Sequence, residues 1–141
     1  MTGVRIGEAV FGICDGGFAE YARAAADTVV TMPTTISAKQ AAAVPTSGAT
    51  ALQTVRDVGR VSPGQRALII GAGGGVGAFA TQLARTFGAE VTGVCGPAKA
   101  ELVRSLGATV LSPFTSQRLR GLVAITRRAD LLTLVPVIDR T

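Results

Sequence analysis

Residues 66–77, RALIIGAGGGVG, join a short apolar run directly to a glycine cluster and then to a helical pattern. Such a junction is a strand, a tight turn and a helix N-terminus. The first-turn N–H groups of a helix lack intrahelical partners and the macrodipole is positive there, so the junction suits a pyrophosphate. On this reading Gly71 and Gly73 allow a turn that side chains would block. Gly74 and Gly75 let a ligand approach the backbone, and Gly77 lets the helix sit close on the strand.

The residues beyond the turn agree with it. Phe79, Ala80, Leu83, Ala84 and Phe87 fall at helical spacing with Val76, and Gly88 is placed to end the helix. Residues 90–94 read as a second strand, residues 98–106 as a second helix that stops at Gly107, and residues 108–111 as a third strand. The pattern is β-α-β-α-β, which predicts an α/β fold with a partial doubly wound (Rossmann) parallel sheet. Before it, residues 17–23 and 27–32 have strand-like patterns, while residues 37–44 and 48–58 read as helices, the first capped by Ser37. Pro63 and Gly64 form the turn into strand 66–70.

GGFAEYA at 16–22, AAAVP at 41–45, GATAL at 48–52, Pro63-Gly64 and AGGGVG at 72–77 occur in this order. As a set they resemble the medium-chain dehydrogenase/reductases, and within them the zinc-independent quinone oxidoreductases and enoyl reductases, which favour Ala at the position of Ala72. The resemblance covers roughly residues 4–111. It implies residues 1–36 as a remnant of a β-rich, GroES-like substrate domain and residues 37–111 as an NAD(P)-binding Rossmann half. Residues 112–124 resemble a much later family segment and residues 135–141 one near the family's end, so residues 112–141 are expected to be a C-terminal remnant. The chain thus reads as shortened at its N-terminus and internally deleted. It supplies the 3-2-1 half of the sheet, and strand 66–70 would be an apolar edge unless residues 118–124 or 135–138 fold in beside it.

Composition narrows the function classes. Hydrophobic residues make up 48% and mean hydropathy is +0.42, yet no apolar run approaches the ~18 residues that span a bilayer. The expectation is a cytoplasmic protein without membrane partner or export signal. Net charge is +5, with Lys39 and Lys99 the only lysines. The arginines are scattered apart from Arg118, Arg120, Arg127 and Arg128, and aromatics for base stacking are few, so no nucleic-acid partner is expected.

There is no histidine. A catalytic zinc normally takes three protein ligands from Cys, His and carboxylates, and Cys14 beside Asp15 makes a poor pair, so no metal is expected. Cys14 and Cys95 read as reduced thiols. Hydride transfer asks less of the protein, because the cofactor carries the bond chemistry. Tyr21, the only tyrosine, could donate a proton but reads as packing in a strand, and no catalytic residue is assigned.

NAD binders place an Asp or Glu about twenty residues after the glycine turn. Here that place is residues 94–99, VCGPAK, with no carboxylate to repel a 2′-phosphate and Lys99 to attract one, so the expected cofactor is NADPH. Ala98 stands where some relatives have arginine. The expected cofactor-binding residues are Gly71, Ala72, Gly74, Gly75, Val76, Gly77, Cys95, Gly96 and Lys99. By resemblance, Thr50 joins them near the nicotinamide, and Thr46 falls where zinc-dependent members place a ligand. Helix caps or packing are the alternative roles for both threonines. The implied activity is hydride transfer to a small quinone or activated enone, impaired in a chain of this length, with a homodimer as the intact family's working unit. The alternative is a non-catalytic nucleotide-binding remnant or interaction module.

Overall fold

The computed structural model describes residues 3–111 and 131–134. The chain divides into two compact units, Met1–Ala49 and Thr50–Thr141. In the first, β1 (Val10–Gly12) and β2 (Val29–Thr31) pair antiparallel, with Phe11 opposite Val30. Gly12 is needed there, since a Cβ would stand 2.7 Å from the Val29 Cα. Residues 17–23, expected as a strand, form none: only an isolated bridge joins Asp15 to Arg23. Tyr21 is accordingly 87% exposed and Phe18 fully exposed, so the packing role expected of Tyr21 is not what the structure shows. The pattern misled because apolar and aromatic residues carry strand propensity only where a partner strand or core receives them.

Ser37 opens helix α1 (Ala38–Leu52) with a capping box. Its hydroxyl accepts from the Gln40 N–H at 3.3 Å, and its own N–H donates to the Gln40 Oε1 at 2.9 Å. Two helices separated near Pro45 were expected, but the helix runs through this residue. Proline removes one intrahelical bond, yet its fixed φ is compatible with the helix, so the segment continues at an energetic cost. A π-helical segment, Gln53–Val58, comes next, marked by the Gly59 N–H donating to the Thr54 carbonyl at 2.8 Å. It buries Val55 completely.

The second unit is the parallel sheet. Strands β3 (Arg66–Ile70), β4 (Glu90–Val94), β5 (Thr109–Leu111) and β6 (Leu131–Leu134) lie in the order β5-β4-β3-β6. Ala67, Leu68 and Ile69 are all buried, as in a parallel sheet covered on both faces. Strand β3 is not an edge: Arg66 to Ile69 pair in parallel with Leu131 to Leu134. The covering strand is neither of the segments expected for that role, which lie outside the described residues.

Helix α2 (Gly75–Thr86) buries Gly77, Ala80, Thr81 and Ala84, with Val76, Phe79, Leu83 and Phe87 packed half-buried against the same core. The Thr81 hydroxyl is buried but satisfied, donating to the Gly77 carbonyl at 2.9 Å. The segment expected as one helix over 98–106 is a 3-10 turn, Pro97–Lys99, and a short helix α3 (Ala100–Ser105), because Pro97 opens it on a tighter turn. Both α2 and α3 end in the same Schellman motif. Gly88 (φ +85°) donates to the Arg85 carbonyl and Ala89 to that of Ala84, while Gly107 (φ +88°) donates to Arg104 and Ala108 to Val103. Each motif turns the chain from a helix into the next strand, which keeps the C-terminal strand ends together on the opposite side.

Candidate dinucleotide site

The glycine turn stands at the C-terminal end of β3, where open parallel sheets bind ligands. Its first residue, Gly71, has φ +77°, a conformation that favours glycine. The Gly71 and Ala72 N–H groups both donate to the Val94 carbonyl, at 2.9 and 3.0 Å, so the turn is fastened to the end of β4. The Gly74 N–H closes the turn on the Gly71 carbonyl at 2.9 Å. Residues 71–77 and 94–99 thereby meet as two loops at one rim of the sheet.

Each glycine has a distinct reason to be there. Gly73 does not have a positive φ, so the turn itself does not require it. A Cβ at that position would lie 2.6 Å from the Lys99 Cβ and 3.6 Å from the Cys95 Cβ. Gly74 is exposed and extended (φ −86°, ψ 174°), so no backbone strain would accompany a side chain there. A Cβ there would have only the Gly71 carbonyl oxygen nearby, at 3.3 Å. Gly77 is a packing glycine, its Cβ position 2.8 Å from the Gly71 carbonyl carbon and 2.9 Å from the Ala72 Cα.

Gly93 is a further packing glycine, outside the residues expected at the site. Inside β4, a Cβ on it would meet Val103 Cγ1 at 2.6 Å and Ala72 Cβ at 2.9 Å, so its absence lets Ala72 and α3 close on the strand. A glycine inside a strand pattern is the signal that could have revealed this close approach.

Electrostatics favour an anion at the rim. The first intrahelical bond of α2 at this end is from the Ala78 N–H to the Gly74 carbonyl, 2.9 Å, so the N–H groups of Gly75, Val76 and Gly77 precede it. These donors and the helix dipole face the same rim as the exposed Lys99. No carboxylate lies in residues 94–99, and Gly96 has open space around it. Cys95 is 5% exposed and its side chain belongs to the core. Gly74 and Gly96 leave room at this rim, the first-turn N–H groups of α2 have no partner within the helix, and Lys99 is exposed.

Thr50 lies on α1 rather than among these loops, its carbonyl accepting from the Thr54 hydroxyl at 2.8 Å. Thr46 is exposed on the same helix. Cys14 is an exposed free thiol, and among the described residues no group of three His, Cys, Asp or Glu side chains is placed to hold a metal ion. Among the same residues no helix is long and apolar enough to cross a membrane.

No protein-family model matches the chain. Among curated proteins it is 40% identical over 107 residues to polyketide synthase GfsB of Streptomyces halstedii, covering 76% of this chain and 2% of the synthase. It is 39% identical over 104 residues to a mouse mitochondrial NAD(P)H oxidoreductase, covering 71% of this chain and 26% of that protein. With a chloroplast envelope quinone oxidoreductase homolog of Arabidopsis thaliana it shares 42% identity over 98 residues, 66% of this chain and 30% of the relative. The chain therefore spans less than a third of these relatives.

Solved structures agree. The quinone oxidoreductase from Coxiella burnetii superposes with TM-score 0.70 at 32% identity, over 86% of this chain and 39% of that one. A mycobacterial protein complexed with NADPH gives TM-score 0.77 at 29% identity, over 89% and 39%. The CurK enoyl reductase gives 0.65 at 32%, over 73% and 31%.

Proposed function

We propose that this chain, a member of the medium-chain dehydrogenase/reductase superfamily, binds NADPH on the rim formed by residues 71–77 and 94–99 and serves hydride transfer to a small quinone or activated enone. The observation that carries the reading is the fastening of the glycine turn to Val94, which brings the start of α2 and Lys99 to one rim. The NADPH-complexed neighbour and the oxidoreductase relatives support it.

In this reading the Gly75, Val76 and Gly77 N–H groups bind the pyrophosphate, and Gly74 leaves the room that contact needs. Lys99 attracts the 2′-phosphate, while Gly96 and the Cys95 backbone border the adenosine end. Thr50 is assigned to the nicotinamide end by family resemblance. The bound cofactor supplies the hydride itself, so the protein binds, orients and excludes water, and no zinc is invoked. The wider assignment is a cytoplasmic enzyme that works as a homodimer, with turnover impaired in these 141 residues.

Titration of the purified chain with NADPH and NADH tests the site. Tighter NADPH binding is expected, and equal or NADH-favouring affinity would refute the cofactor assignment. Turnover of NADPH with a simple quinone tests the impairment, which a rate on the order of 1 s⁻¹ or faster would exclude.

A further inference from the structure

Gly93 is buried in β4 with a paired strand on each side, opposite Ile69 of β3 and Val110 of β5, so its backbone is held in the sheet. A Cβ on it would stand 2.9 Å from the Ala72 Cβ and 2.6 Å from Val103 Cγ1. Carbon atoms in contact rest at about 3.5–4.0 Å, so a neighbour has to give way. The two neighbours yield differently. Val103 meets the position with a side-chain methyl of α3, which a shorter residue withdraws. Ala72 meets it with a Cβ, an atom that no side-chain rotation moves, and it is fully buried. To retreat, Ala72 must carry its own backbone away from β4. Its N–H donates at 3.0 Å to the carbonyl of Val94, the residue after Gly93, beside the Gly71 N–H at 2.9 Å, so that retreat breaks the fastening of the turn.

We propose that Gly93 is a positioning residue for the pyrophosphate: its missing side chain seats Ala72 on β4, and that seat holds the glycine turn and the N–H groups of Gly75, Val76 and Gly77 at the rim. A methyl at residue 93 lifts the turn off Val94 and shifts those donors together. NADPH and NADH carry the same pyrophosphate, so the loss falls on both alike. Gly93 acts through Ala72 and not through the ligand. This rests on the reading of the rim as a dinucleotide site.

The experiment titrates NADPH and NADH into the wild type and Gly93→Ala, and repeats the comparison in an Ala72→Gly background and in a Val103→Ala background, each affinity corrected for folded protein. Gly93→Ala is expected to weaken both cofactors equally, by about tenfold, the scale of one hydrogen bond to a charged group. In the Ala72→Gly background no Cβ opposes the new methyl, and the same change should cost about twofold or less. In the Val103→Ala background the affinity loss should persist while part of the lost melting temperature returns, a split that general packing damage would not give. That background also supplies a folded protein where Gly93→Ala alone unfolds. No loss, a loss confined to one cofactor, or a loss of equal size in every background overturns the proposal.

Amide hydrogen exchange without cofactor separates failure of the proposal from failure of the site beneath it. Gly93→Ala should speed exchange at the amides of residues 71 and 72, and in the Ala72→Gly background it should leave them unchanged. Unchanged exchange at both amides in Gly93→Ala overturns the seating however the cofactors bind. A wild type that binds neither cofactor refutes the dinucleotide site, and the proposal falls with it even where exchange shows the turn seated on Gly93.

Discussion

Gly77, in the first turn of α2, lies directly on the backbone of Gly71, the residue that opens the glycine turn: a Cβ on Gly77 would stand 2.8 Å from the Gly71 carbonyl carbon. Gly77 is buried and both contacting groups are backbone, so nothing nearby can rotate away. Gly77→Ala should therefore destabilise the fold by about 1–3 kcal/mol, the usual range for overpacking. Urea denaturation followed by circular dichroism measures it. A neutral or stabilising outcome would mean that the helix is free to lift from the strand.

Gly74 should behave in the opposite way. Its extended backbone accepts any residue, it is exposed, and only the Gly71 carbonyl oxygen approaches its Cβ position. Gly74→Val should leave the melting temperature within a few degrees of the wild type yet lower NADPH affinity at least tenfold, because the added side chain occupies the pyrophosphate's approach. If affinity falls only in proportion to folded protein, the phosphate-cradle role of the turn has no support.

The contrast between these glycines shows what the sequence could convey. The β-α-β-α-β order, the three parallel strands and the C-terminal ends of α2 and α3 were legible, because apolar period and terminal glycines are local signals. Which glycine does what was not. Gly73 read as a turn residue, and only the approach of Lys99, 26 positions along the chain, reveals its reason. Gly93 was missed for the same cause, since its neighbours Ala72 and Val103 come from other elements. Residues 17–23 failed differently: strand propensity was present, but among the described residues no partner strand takes it up. The passage of α1 through Pro45 was also hidden, because a proline reads as a break unless packing retains the helix.

Arg85, at the end of α2, donates from its guanidinium to the Gly107 carbonyl and so ties the end of α2 to the turn between α3 and β5. The residue is exposed, so the bond competes with water. Arg85→Ala should cost about 1 kcal/mol, the net value of such a hydrogen bond. Faster amide exchange at Gly107 and Ala108 should accompany it, and unchanged exchange there would show that the Schellman motif holds the turn without the arginine.

Arg56 and Asp57 form an exposed ion pair at 2.6 Å, side chains 56% and 49% accessible. The hydrogen bond from Arg56 holds the Asp57 carboxyl below the usual carboxylate range, although slight desolvation opposes it. A carboxyl lowered on folding stabilises above its unfolded pKa, and that contribution is lost as pH falls through the folded value. Solvent screening keeps the effect small. Asp57→Asn should therefore melt within about a degree of the wild type at pH 7, the two curves converging further in acid. A clear stability loss at neutral pH would mean that the pair does more than decorate the surface.

Lys99 offers the sharpest test of charge at the rim. Replacing it with glutamate reverses the sign next to the α2 N-terminus and puts a carboxylate in the neighbourhood where NAD binders carry one. A 2′-phosphate would then be repelled, while the ribose hydroxyls of NADH would gain an acceptor. Lys99→Glu should lower NADPH affinity by about a hundredfold, two tenfold steps for the lost attraction and the added repulsion, with NADH affinity held or raised. Because Lys99 is exposed and its Cβ is retained, the packing against Gly73 survives and the melting temperature should change little. Raising salt from about 0.01 to 0.15 M shortens the Debye length from about 30 to 8 Å, so the NADPH penalty should shrink along that series. A salt-independent penalty of equal size for both cofactors would point to a distorted rim and against a charge contact at the 2′-phosphate.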